Sequence, residues 1–91
     1  MLDGKHEHFA LRLGIRIMQI RREMGLLQQQ LADCAGINAG YLSLIENGQR
    51  LPSLAMLSRL SKILRVPLFE LFVFSKKNAS SRKRTSPKAD G

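Results

Sequence analysis

The 91 residues, 44% of them hydrophobic, suffice for one small core and leave no room within this sequence for a separate ligand-sensing or catalytic domain. The net charge of +8 points to a polyanionic partner, but it is unevenly spread: Lys76, Lys77, Arg82, Lys83, Arg84 and Lys88 against Asp90 give residues 75 to 91 a charge of +5, leaving +3 for residues 1 to 74. No apolar run approaches the roughly 18 residues of a membrane span, and the N-terminal MLDGKHEHF lacks the basic-then-apolar order of a signal peptide, so a cytoplasmic protein is expected.

Residues 1 to about 6 are expected to be loosely held, since Asp3 and Gly4 resist helix. From about Glu7 to Met24, Phe9, Leu13, Ile17, Ile20 and Met24 recur at helical spacing, with Arg12, Arg16, Gln19, Arg22 and Glu23 filling the other face. Leu11, Ile15 and Met18 widen the apolar stripe and are read as partly exposed or open to a partner. Gly25 ends this helix, and Leu26 turns into the core behind it.

The next stretch, Gln28 to Asn47, organises the rest. It reads as two short helices joined at Gly36, with Leu31, Ala32, Ala35, Ile37, Leu42 and Ile45 facing inward and Asn38 as N-cap of the second helix. Helix, short Gly-containing turn and second helix form the unit that lays its second helix in a DNA major groove. Gly48 to Pro52 is a loop, and Ser53 is the N-cap of a fourth helix reaching about Leu64 with Leu54, Leu57, Leu60 and Leu64 inward. Pro67 suits the first position of a short fifth helix. Residues 68 to 74 are more apolar than one buried face requires, so Leu68, Phe69, Leu71, Phe72, Val73 and Phe74 are candidates for a dimer interface. After Ser75 periodicity ends, and a disordered basic tail is expected. The fold class is therefore all-α: a compact five-helix domain over residues 1 to 74, with a central helix-turn-helix, followed by the tail over residues 75 to 91.

Catalytic and cofactor chemistry has no foothold. His6 and His8 are two apart near the terminus, poor geometry for metal ligation on a helix, and the single Cys34 is read as packing. No Gly-rich phosphate loop and no recognisable nucleophile context is present, so neither an enzyme nor a cofactor, metal or small-molecule ligand is expected.

Over residues 9 to 72 the sequence resembles the lambda-repressor-like, Cro-type helix-turn-helix proteins known as the XRE family. The matching positions run from Leu13 and Arg21 through Gly25-Leu26, Gln28, Leu31-Ala32, Ala35-Gly36-Ile37, Tyr41-Leu42-Ser43, Ile45-Glu46-Asn47-Gly48, Arg50, Pro52-Ser53-Leu54 and Val66-Pro67 to Glu70-Leu71-Phe72. The resemblance implies DNA phosphate contacts from Gln28, Asn47 and Arg50. It also implies a structural ion pair between Arg21 and Glu46, which fixes the recognition helix to the first helix. Asn38, Ala39, Gly40, Tyr41, Ser43 and Leu44 occupy the base-facing positions. Here the chain departs from its relatives, which often carry Gln, Arg, Lys or Asn at several of these sites. Ala39, Gly40 and Leu44 offer no donor or acceptor, so reading falls to Asn38, Ser43, Tyr41 and apolar contact with thymine methyls. Leu27 stands where the family often has a Ser, Thr or Asn cap.

The resemblance implies a transcriptional regulator that occupies an operator in double-stranded DNA, as a homodimer over half-sites roughly 10 bp apart. Phage-type regulators, restriction-modification controllers and antitoxins are versions of this reading. The alternative is a protein-interaction module, antitoxin-like, that keeps the fold with weak or non-specific DNA binding.

Overall fold

A computed structural model describes residues 4 to 74, and the expectations for the tail lie outside the described residues. Four α-helices, α1 (Gly4–Glu23), α2 (Gln28–Ala35), α3 (Ala39–Glu46) and α4 (Leu54–Leu64), precede a short 3-10 helix, Leu68–Phe72. No strand occurs among the described residues. The all-α class agrees with the sequence; the fifth helix differs in kind. Pro67 sits one position outside it as N-cap, and the element closes through i to i+3 bonds, Glu70 N–H to Pro67 O at 2.9 Å and Val73 N–H to Glu70 O at 3.2 Å. Such tighter turns are characteristic of pieces this short.

The core is one cluster. Leu13, Ile17 and Ile20 of α1 meet Leu31, Ala32 and Ala35 of α2, Leu42 and Ile45 of α3, Leu57, Leu60 and Leu64 of α4, and Leu71. Each helix supplies residues three or four apart, so its apolar stripe faces the common centre. α1 begins at Gly4, three residues before the expected start, because glycine's penalty applies to helix interiors and is small at a first position. Leu54 departs from its expected place: at the start of α4, beyond the core's edge, it remains 66% exposed. Cys34, read as packing, is exposed on α2.

Two contacts set the angle of α1, and neither has a sequence signal. Gly14 faces the end of α3 so closely that a Cβ would collide with the Ile45 carbonyl oxygen and lie 2.7 Å from that of Glu46. Arg16, expected on the solvent face, is buried: its Nε donates to the Glu70 carbonyl at 2.9 Å and Nη2 to Glu70 Oε1 at 2.7 Å, tying α1 to the 3-10 helix. A buried guanidinium is tolerated only with such partners.

Candidate nucleic-acid interface

The turn between α2 and α3 is built on Gly36, whose φ of +75° a side chain would strain. Ile37 N–H bonds Ala32 O at 3.0 Å, Gly36 N–H bonds Asp33 O at 3.2 Å, and Arg59 Nη1 from α4 reaches Ala35 O at 3.0 Å. These bonds satisfy carbonyls that a helix end otherwise leaves unpaired. Asn38 then caps α3, its Oδ1 accepting from the Tyr41 N–H at 2.7 Å. With the C-terminus of one helix closed and the N-terminus of the next capped, the angle between them is fixed.

Leu42 and Ile45 are fully buried, which decides what α3 turns outward. Gly40, Leu44 and Asn47 are exposed, and at 3.6 residues per turn they fall within about 60° of arc. Ser43 is half-buried at the edge of this strip, joined to Asn47 by a long 3.4 Å bond from Nδ2 to Oγ. Ala39 and Tyr41, both among the base-facing candidates, are half-buried and pack against the core. Tyr41 lies about 60° round from Leu44, on the flank of the helix.

On the opposite flank stands Glu46, almost wholly buried. Arg21 of α1 meets it with two parallel bonds, Nε to Oε2 at 2.7 Å and Nη2 to Oε1 at 3.0 Å, and sends Nη1 to Leu26 O at 2.8 Å. Glu46 Oε1 also accepts from Gln28 Nε2 at 3.0 Å. One carboxylate thus joins α1, α2 and α3. Gln28 is anchored at the first residue of α2 with its Oε1 and second amide hydrogen left over.

The N-terminus of α2 is open. Leu27, its N-cap, is 67% exposed and has no oxygen to offer; only its own N–H is satisfied, by Gln30 Oε1 at 2.8 Å. Leu31 is the first residue whose N–H finds an intrahelical acceptor, Leu27 O at 3.1 Å. The amides of Gln28, Gln29 and Gln30 therefore form a concentration of donors at the positive end of the helix dipole.

Beyond α3, the Leu44 carbonyl accepts from both Gln49 N–H at 2.8 Å and Arg50 N–H at 3.2 Å, and Gly48, at φ +78°, presses against the Leu11 backbone. The loop is thus bound to the helix it follows. Arg50 leaves it to run back along α3, its Cζ 5.8 Å from the Tyr41 ring centroid.

The dimer candidates divide. Leu71 is fully buried and has no surface to offer a partner, which corrects its assignment: one face of a five-residue helix must close the core, and Leu71 is on it. Leu68, Phe72 and Phe74 also pack against the core, with Phe72 stacked on Phe9 at 6.2 Å between centroids and Phe74 meeting the same ring edge-on at 5.7 Å. Val73 is half-buried, and Phe69 stands 64% exposed.

The helix-turn-helix family model matches residues 17–71. The ImmF control region 10 kDa protein of Bacillus phage phi105 is 41% identical over 68 residues, 75% of this chain and 69% of that protein. The restriction-modification controller protein C.AhdI of Aeromonas hydrophila superposes with a TM-score of 0.71 at 33% identity, covering 74% of this chain and 97% of that one. SinR, a transcriptional regulator of Bacillus subtilis, is 42% identical over 60 residues, 65% of this chain and 54% of SinR. The structure of SinR in complex with DNA gives a TM-score of 0.62 at 40% identity, over 67% of this chain and 98% of that one. With the family model spanning residues 17–71, more than half of the chain, and relatives of this identity and coverage beside it, the chain belongs to the XRE-type helix-turn-helix family.

Proposed function

We propose that the protein is a transcriptional regulator that binds double-stranded DNA at an operator as a homodimer, laying α3 in the major groove. The observation that carries this reading is the outward strip of Gly40, Leu44 and Asn47 with an anchored polar group on either side: Gln28 through Glu46 on one flank, Arg50 over Tyr41 on the other. Gln28, with the free amides behind it, and Arg50 would meet the two phosphate backbones bordering the groove, and Asn47 a phosphate nearby. Leu44 would touch thymine methyls, while Asn38, whose Oδ1 is spent on the cap, keeps its amide nitrogen for a base or phosphate. Gly40 lets the helix approach the base edges closely. The DNA-bound SinR structure supports this reading by the likeness of the fold.

Gln28→Ala with Arg50→Ala tests it. DNA affinity should fall by about 10-fold or more, and the salt slope should become shallower by about one unit, from Arg50 alone, since Gln28 carries no charge. Stability should change by only about 1 kcal/mol, the worth of the Gln28–Glu46 bond. Unchanged affinity would overturn the assignment and favour a protein-docking role for the outward strip of α3. For the homodimer, Phe69 is the exposed aromatic of the candidate surface. Phe69→Asp should turn a dimer into a folded monomer in analytical ultracentrifugation; a variant still dimeric removes Phe69 from the interface.

A further inference from the structure

We propose that Tyr41 is a positioning residue for Arg50: its ring is a platform that holds the guanidinium beside the outward strip of α3, and it does not read bases. This rests on the DNA-binding reading above and assigns a role within that site.

Three observations place the pair. Tyr41 is half-buried and packed against the core, so its ring is a fixed surface rather than a free arm. Its backbone N–H is held by Asn38 Oδ1, which locks the first turn of the helix that carries it. Arg50 is attached to the other end of the same helix by its N–H bond to Leu44 O, and the side chain spans back so that Cζ stands 5.8 Å from the ring centroid. Backbone anchor and ring together restrict an exposed arginine that would otherwise sample many rotamers. Guanidinium is weakly hydrated and stacks on an aromatic face while its edge N–H groups stay free to donate. The arrangement matters more here than it would in a relative with a polar recognition helix, because Ala39, Gly40 and Leu44 supply no donors. The loop arginine brings the cationic donor that α3 itself lacks.

The test is a double-mutant cycle in DNA affinity, measured on the full chain at low salt with duplex DNA that the wild type binds. Tyr41→Leu keeps bulk and loses the ring; Tyr41→Phe keeps the ring and loses the hydroxyl. Tyr41→Leu should weaken binding roughly two- to five-fold, as an exposed cation–π contact implies, and have no further effect once Arg50 is alanine. Tyr41→Phe should bind like wild type. In the DNA-free protein, the Arg50 side-chain Nε–H should gain fast-timescale mobility by NMR relaxation in Tyr41→Leu and not in Tyr41→Phe, a readout that general loss of stability would not reproduce. Effects of Tyr41→Leu and Arg50→Ala that simply multiply, or loss of binding in Tyr41→Phe, would overturn the positioning role while leaving the DNA-binding reading intact. A wild-type protein without affinity for any duplex would overturn both.

Discussion

Gly14→Ala is expected to destabilise the domain by about 2 kcal/mol, although alanine is the better helix former by up to about 1 kcal/mol. The added methyl would fall on the backbone at the end of α3, against the Ile45 carbonyl oxygen and within 2.8 Å of the Glu46 carbonyl carbon. Side chains can rotate away from such a clash; two consecutive carbonyls of a helix cannot. α1 must therefore shift off α3, and the shift opens the interface in which Arg21 meets Glu46. Urea denaturation of wild type and variant gives the difference directly. A variant as stable as wild type would mean that α1 slides without cost, and that the close approach of the two helices does not set the position of α3.

Glu46→Ala should cost more, about 3–5 kcal/mol, because it strands a guanidinium that is only 7% exposed. Arg21 would retain one bond, to the Leu26 carbonyl, and lose both to the carboxylate. With domain stabilities of about 5–15 kcal/mol, that loss brings a small protein near unfolding at ambient temperature. Replacing both partners, Arg21→Met with Glu46→Leu, should restore most of the stability, since no charge is then left buried alone. The restored variant still lacks the acceptor for Gln28 Nε2. It should therefore fold and yet bind DNA more weakly than wild type, separating the pair's part in stability from its part in placing Gln28. Thermal and chemical denaturation measure the first effect, and titration with duplex DNA the second. A loss under about 1 kcal/mol in Glu46→Ala would show that water reaches Arg21 and that the triad does not hold the three helices.

Much of this architecture was legible in the sequence because its signals are local. Asn38 and Ser53 mark N-caps, Gly25 and Gly36 mark helix ends, and the spacing of Leu13, Ile17 and Ile20 marks a buried stripe; in each case the residue and its structural consequence lie within one or two turns. The features that escaped are those whose partner is remote. Arg16 resembles any solvent-facing arginine until the 3-10 helix, 54 residues on, brings up Glu70. Gly14 has no local reason to be glycine; its reason is the backbone of α3. Arg65 ends α4 in the left-handed conformation at φ +61° without the glycine that would have announced it. Leu54 fits the stripe of α4 by periodicity, but periodicity does not say where the core stops.

The candidate site divides the same way. Resemblance to the family named Gln28, Arg50 and the α3 positions, whereas the geometry distinguishes among them: it gathers Gly40, Leu44 and Asn47 on one strip and sets Tyr41 against the core beneath Arg50. It also shows what the missing cap at Leu27 leaves, an open α2 N-terminus whose first amides are free for an anion.

Whether a largely apolar α3 selects an operator is decided by selection from random duplex DNA with the purified protein near physiological salt, sequencing the bound fraction. The proposal predicts an enriched palindrome with half-sites about 10 bp apart and thymines at the positions facing Leu44. Recovery of no preferred sequence, with binding that disappears as salt rises, would leave only phosphate attraction and contradict it.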